Sequence, residues 1–180
     1  MGLDMYLSKK IYVGANYAHN EVKGSISIMS RGKEIPVNLN KVTYIVESAA
    51  YWRKANHIHK WFVDKVQEGN DDCKDYYVSV DNLKELLTTC KEVKESCELE
   101  EKEITNEDGS IYKGKIIKNT EIAEKLLPTQ KGFFFGGTSY DEYYLQDIEY
   151  TIEVIEKILS EEIELNKKGV YSDFEYSSSW

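Results

Sequence analysis

Leu3, Met5 and Leu7 alternate with Asp4 and Tyr6, and Ile11 to Val13 extend the β-favouring run, so the chain opens on a predicted strand over Leu3 to Val13. Ser25 to Met29 and Ile35 to Leu39 flank Ser30-Arg31-Gly32-Lys33 and predict a hairpin, with Gly32 suited to a left-handed turn position. Pro36 in the second arm marks an edge strand. A short apolar run over Val42 to Val46 follows, and then Ala49 to Gln67, whose composition favours a helix capped by Ser48. On that helix Trp52, Ala55, His59, Phe62 and Val66 share one face, widened by Ile58 and Val63, while Arg53, Asn56, His57, Lys60 and Asp64 lie opposite. Glu68-Gly69-Asn70-Asp71-Asp72 ends it.

Tyr76 to Val80 predicts another strand. Asp81 is the expected N-cap of a second helix, whose stripe is Leu83, Leu86, Leu87, Cys90, Val93 and Cys97. Glu98 to Asp108 holds six acidic residues, then Gly109, then a predicted strand over Ile111 to Ile117, which together read as a projecting acidic hairpin near 98–118 turning at Glu107-Asp108-Gly109. A short helix from Thr120 to Leu127 closes at Pro128. The longest helix runs from Asp141 to Leu165, capped by Ser139 or Asp141, with Leu145, Ile148, Ile152, Ile155, Leu159 and Ile163 as its apolar stripe. Residues 171–180, in the tail Val170 to Trp180, either add an edge strand or fray. The whole predicts a single α+β domain over residues 1–180: a small, mostly antiparallel sheet packed against two or three amphipathic helices. At 180 residues such a domain buries a core without metal or disulfide staples.

Charge and cysteine usage narrow the setting. A formal net charge of -9 argues against general phosphate-backbone binding, while leaving a local DNA contact through Lys113, Lys115 and Lys118 open, and it suits docking on a basic partner surface. Cys73, Cys90 and Cys97 leave an odd one over, show no Cys-x-x-Cys spacing and sit in segments that read as core, as in a reduced cytoplasmic protein. The first residues lack the cationic start and apolar run of a signal peptide, and no apolar stretch reaches the roughly 20 residues of a membrane span. Fourteen tyrosines against five phenylalanines suit half-wet positions, either at the core boundary or in contact surfaces.

Candidate chemistry is sparse. His57 and His59 stand about 200° apart on a helix and His19 has no expected neighbour, so no metal site is expected. A buried His59 hydrogen-bonded in the core is the ordinary alternative. No nucleophile elbow is present, no carboxylate couple stands out from the many acids, and no catalytic residue or cofactor is expected. Residues 126–144 gather three phenylalanines, three tyrosines and three glycines around Pro128. This segment reads chiefly as a buried Phe133–Phe135 strand turning tightly into the long helix. The competing reading is a cleft where Trp52, Arg53, Asn56 and Tyr140 meet that turn and bind a nucleotide or another anionic metabolite, with Arg53 supplying the fork.

The opening Met-Gly-Leu-Asp-Met-Tyr-Leu, Tyr-Trp-Arg-Lys-Ala-Asn-x-Ile-His-x-Trp-Phe at 51–62 and Leu-Leu-Pro-Thr-Gln-x-Gly-Phe-Phe-Phe-Gly-x-Thr-x-Tyr-Asp-Glu-Tyr-Tyr at 126–144 resemble a widespread family of small bacteriophage, prophage and mobile-element proteins. The resemblance spans most of the chain. It implies a non-enzymatic counter-defence protein, related to the type II-A anti-CRISPR inhibitors, that binds a host nuclease or nucleoprotein, with Cas9 the best single expectation. The blocks specify no activity and carry over no functional residue. From charge alone, the docking surface is expected on the acidic side of the long helix, at Glu149, Glu153 and Glu156, and on the acidic run, at Glu100 and Glu101.

Overall fold

A computed structural model describes residues 2–14, 26–105 and 110–180. The protein is α+β, built from antiparallel sheets packed against helices. Strand β1 (Asp4–Tyr12) forms where the alternation predicts it, with Leu3, Met5 and Leu7 fully buried and Tyr6 on the opposite, exposed face. Two short strands, β2 (Ser27–Ser30) and β3 (Lys33–Pro36), pair with each other through a turn in which Arg31 and Gly32 both have positive φ, +50° and +74°. That backbone matches the right-handed twist of the arms and explains the glycine. The Ser25 end of this predicted hairpin, and His19, lie outside the described residues.

Strand β4 (Tyr44–Arg53) corrects the expectation of a helix from Ala49. Ala50 and Trp52 face inward while Tyr51 and Arg53 face out, and the strand pairs antiparallel with β1 along its whole length, with a bulge at Leu7/Ser8. Cross-strand pairing and burial override the weak helix preference of two alanines. Ser48 is therefore a strand residue, and helix α1 (Asn56–Lys65) starts at Ala55, which offers no side-chain cap. Asn56 and His57, expected on the solvent side, are both 2% exposed.

Strand β5 (Tyr76–Val78) stops before Ser79, which caps helix α2 (Val80–Ser96) in place of Asp81: Ser79 Oγ accepts from the Asn82 amide, and Asn82 Oδ1 accepts from the Ser79 N–H. Strands β6 (Leu99–Thr105) and β7 (Ile111–Ile117) form the acidic hairpin, whose turn at Glu107-Asp108-Gly109 lies outside the described residues. Helix α3 (Glu121–Leu126) matches the short predicted helix. Helix α4 (Glu142–Lys167) is capped by Asp141, whose carboxylate accepts from the amides of Tyr143 and Tyr144.

The buried line of α4 is Tyr144, Ile148, Thr151, Ile155, Ile158 and Glu162, rotated from the predicted stripe; Ile163 is 58% exposed. Specific polar partners account for the rotation. Thr151 Oγ1 accepts from the Trp52 indole at 2.9 Å, and Glu162 meets Lys9 Nζ at 2.6 Å, both side chains almost fully buried. Ser172 Oγ also donates to Glu162.

The tail overturns its expectation most clearly. Strand β8 (Ser172–Ser179) is neither frayed nor at an edge but lies between β1 and β5, in the sheet order β4-β1-β8-β5. Phe174 and Tyr176 carry it into the core, and the Tyr176 ring stacks on Phe62 with centroids 3.9 Å apart. His59, 0% exposed, locks this strand to α1: Nδ1 bonds the Tyr176 hydroxyl at 2.7 Å and Nε2 bonds Asp71 at 3.0 Å, while Asp71 also accepts from the Trp180 indole. The ordinary reading of His59 thus holds. A continuous core joins the sheet to all four helices. Cys90 sits inside it, its thiol pushed up to about 12 by burial, Cys97 is half-buried, and Cys73 is exposed rather than in the core. Among the described residues no helix is long and apolar enough to cross a membrane.

Candidate functional site

A cleft of about 350 Å³ opens where the end of β4, the start of α1, the glycine-aromatic loop and the first turns of α4 meet. Local chemistry builds it. Lys54 follows β4 with φ +61°, a left-handed conformation that a lysine adopts only when its surroundings hold it there, and the break lets α1 begin two residues later. Gly136, at φ +86°, passes so close that a Cβ there would stand 3.1 Å from the Cβ of Lys54. The left-handed backbone favours glycine at 136, and the close approach of Lys54 adds to that preference.

Asn56 then clamps the loop to the helix. Its side-chain amide donates to the carbonyls of Phe135 at 3.0 Å and Gly137 at 2.8 Å, and its Oδ1 accepts from the Gln130 amide at 2.8 Å. Thr129 extends the wall, its amide donating to Tyr140 Oη and its hydroxyl to the Thr138 carbonyl. Tyr144 donates to the Leu127 carbonyl at 2.9 Å, with its hydroxyl held protonated far above the ordinary range by burial. The loop itself corrects the expected Phe133–Phe135 strand: it turns without pairing, buries Phe135, and leaves Phe133 96% exposed.

The lining of the cleft carries charges of both signs. Arg53 and Lys54 stand exposed at its mouth, with Arg53 Nη1 bonded to Asp4 at 3.3 Å and its side chain still 58% exposed. The first turn of α1, whose Asn56 and His57 line the cleft, carries no side-chain cap, whereas α4 is capped by Asp141. Asp141 and Asp147 line the cleft as well. Burial, with repulsion from Asp141 second, pushes Asp147 up to about 7.

His57 lines the wall, stacked on Tyr144 with ring centroids 4.2 Å apart. Desolvation drives it down to about 3, so the imidazole is neutral at physiological pH, and its Nε2 has no hydrogen-bond partner among the described residues. A buried polar nitrogen left bare costs about 1 to 3 kcal/mol. Among the described residues no group of three or more metal-ligating side chains gathers.

Of the four residues expected in this cleft, Arg53 and Asn56 line it. Trp52 does not: it is buried against Phe62 and Tyr150 with its indole on Thr151. Tyr140 stands behind the wall, edge-on to Tyr144. Lys54, His57, Tyr143 and Asp147 were missed. A helix from Ala49 turns His57 to solvent, and Asp147 is one of many acids on α4; only its place about two turns after the cap at Asp141 distinguishes it.

The expected docking acids are divided. Glu149 pairs with Lys94 at 2.9 Å and Glu156 with Lys91 at 2.5 Å, both lysines on α2, which leaves Glu153 exposed between two neutralised neighbours. Glu100 and Glu101 are exposed on β6, with Lys115 opposite Glu101 in the β6–β7 register. Lys113 stands opposite Glu103, and Lys118 bonds Glu98 at 2.5 Å, so each lysine of the cationic stretch has an acid beside it. No protein-family model, curated protein or solved structure matches the chain.

Proposed function

We propose that the protein is a non-enzymatic binding module that holds a small anionic ligand in the Arg53–Asp147 cleft. The observation that carries this reading is a cleft of about 350 Å³ lined by two exposed cations, Arg53 and Lys54, at the uncapped start of α1. The two cations attract the anion, and the positive end of the α1 dipole adds to their field. The cleft brings no nucleophile into hydrogen bonding with a base, which favours binding over turnover. Denaturing the purified protein and analysing the released small molecules by mass spectrometry tests the reading. An anionic metabolite should appear, and Arg53→Ala should lose it while keeping the fold. Absence of any bound anion, with no thermal stabilisation by phosphate, carboxylate or nucleotide additives, would overturn it; turnover of such a compound by the protein alone would make it an enzyme.

A second reading keeps the counter-defence role, with a Cas9-like nuclease as the partner. The β6–β7 hairpin favours it: its two strands form a sheet of their own, and Glu100, Glu101, Ile111 and Tyr112 are exposed on it. Since Glu149 and Glu156 are tied to α2, Glu100→Lys with Glu101→Lys is the sharper variant. Co-elution of the protein with Cas9 on size exclusion, abolished by that pair, would support the reading, and no co-elution with or without guide RNA in low salt would end it.

A further inference from the structure

We infer that the outer edge of β4 docks an extended segment of a partner protein as an added strand, with a lysine or arginine of that segment seated in the groove between β4 and α4. The partner's backbone pairs with the edge, and its cation meets Glu47 and Glu161.

The two outer strands of the sheet β4-β1-β8-β5 differ: β5 is three residues long, whereas β4 is ten and, among the described residues, pairs only with β1. Backbone bonds at both ends of the ladder fix which groups of β4 point outward. Lys54 N–H donates to the Leu3 carbonyl at 2.8 Å and Val13 N–H to the Thr43 carbonyl at 2.9 Å, so the next pairs inward, Asp4 with Arg53 and Tyr12 with Tyr44, are not hydrogen-bonded to each other. The alternation carries this pattern from Tyr44 on to Val46 and Ser48, where the bulge at Leu7/Ser8 ends the run. The N–H and C=O groups of Tyr44, Val46 and Ser48 therefore point away from β1, and no backbone group among the described residues takes them. Proteins blunt such edges with proline or charge. These three positions carry neither, and all three side chains are exposed.

The groove supplies the second half of the site. Glu47 stands opposite Lys9 in the register, and Lys9 reaches Glu162 of α4, so Glu47 lies on the helix side of the sheet. A groove of about 130 Å³ opens there, lined by Glu47 and Ala49 of β4 and by Val154, Lys157, Ile158 and Glu161 of α4. That volume is well below the roughly 300 Å³ at which ligand pockets begin, and it suits a single side chain. A strand paired at Val46 and Ser48 turns its residue opposite Glu47 into this groove, because successive side chains alternate in face.

Charge selects that side chain. Lys9 is already tied to Glu162. Glu47, Lys157 and Glu161 are exposed and form no ion pair among the described residues, which sets two carboxylates against one ammonium. A long cationic side chain lays its methylenes on Ala49, Val154 and Ile158 and carries its head to the carboxylates, where an acidic one would be repelled. The net charge of -9 draws the same class of partner. Main-chain bonds then supply affinity and the groove supplies specificity, as when a peptide extends a sheet.

Screening a library of synthetic heptapeptides against the purified protein reads this preference directly. Binders should share a lysine or arginine at one fixed position. In fluorescence polarisation, Val46→Pro should abolish their binding, since it removes an outward N–H and no bond to β1. Glu47→Gln with Glu161→Gln should weaken the cationic peptides about fivefold and leave their glutamine-substituted versions unchanged. Thermal melts check each variant. If Val46→Pro does not fold, the exposed carboxamide pair decides, and undiminished binding of the cationic peptides would overturn the inference. It would equally be overturned by an absence of binders, by binders with no cationic preference, or by a folded Val46→Pro that binds as wild type does. A dimer on size exclusion that Val46→Pro converts to monomer would also overturn it, because a second copy would then occupy the edge. None of these results bears on the Arg53–Asp147 cleft, whose lining shares no residue with this groove.

Discussion

Asp147→Asn should make the protein more stable, and only above acidic pH. An aspartate held at about 7 instead of near 4 is protonated more readily folded than unfolded. Its contribution to stability is therefore fully present below pH 4, is lost progressively as pH rises from about 4 to 7, and changes no further beyond that. Three pH steps at 1.36 kcal/mol each set an upper figure of about 4 kcal/mol, and because Asp147 lines an open cleft where water screens it, ~2–4 kcal/mol is the expected range. Asparagine keeps the shape and removes the charge. Urea unfolding followed by far-ultraviolet circular dichroism, on wild type and variant at pH 4, 6 and 8, reads the difference directly. That difference should be smallest at pH 4 and grow by ~2–4 kcal/mol by pH 8. A variant-minus-wild-type difference that stays flat across this range would refute the account of Asp147 as a desolvated, partnerless carboxylate.

Three further outcomes follow from the packing. Lys9→Ala, which strands Glu162 in the interior, should cost about 3 to 5 kcal/mol in denaturant unfolding, while Lys9→Met combined with Glu162→Leu should come out near neutral. Asn56→Ala removes the three hydrogen bonds that clamp the loop and should cost about 2 to 4 kcal/mol, with raised hydrogen exchange at residues 130–137; unchanged exchange there would deny Asn56 its positioning role. Deleting residues 172–180 should abolish cooperative unfolding, since it removes a strand paired on both sides, and a truncated protein that still melts cooperatively would contradict the observed sheet order.

How much of this was legible in the chain depends on whether a residue's partner lies nearby in sequence. β1, the Arg31-Gly32 turn, α2, α3 and the extent of α4 follow from local periodicity and caps, and the structure shows them within a few residues. β4 was hidden because Ala49-Ala50 suits a helix by itself, and only pairing with β1, more than thirty residues earlier, makes it a strand. A still longer separation in sequence concealed β8, whose alternation of serines with Phe174 and Tyr176 looks like an edge until β1 and β5 are found on either side. The cleft was half readable: Arg53 and Asn56 were placed in it, yet His57 and Asp147 gain their unusual protonation from burial, which no spacing in the sequence records.

The position of β8 also sets a timetable for the newborn chain. β1 and β4 can pair soon after residue 53 leaves the ribosome, but the second edge of β1 and the aromatic side of α1 stay uncovered until residues 172–179 are made. At roughly 5 to 20 residues per second that interval is on the order of ten seconds, far longer than a helix or hairpin needs to form. During it Leu3, Met5, Leu7 and Phe62 lack part of their eventual cover. Completion of this sheet therefore waits until residues 172–179 are made, with apolar strand surface uncovered in the meantime.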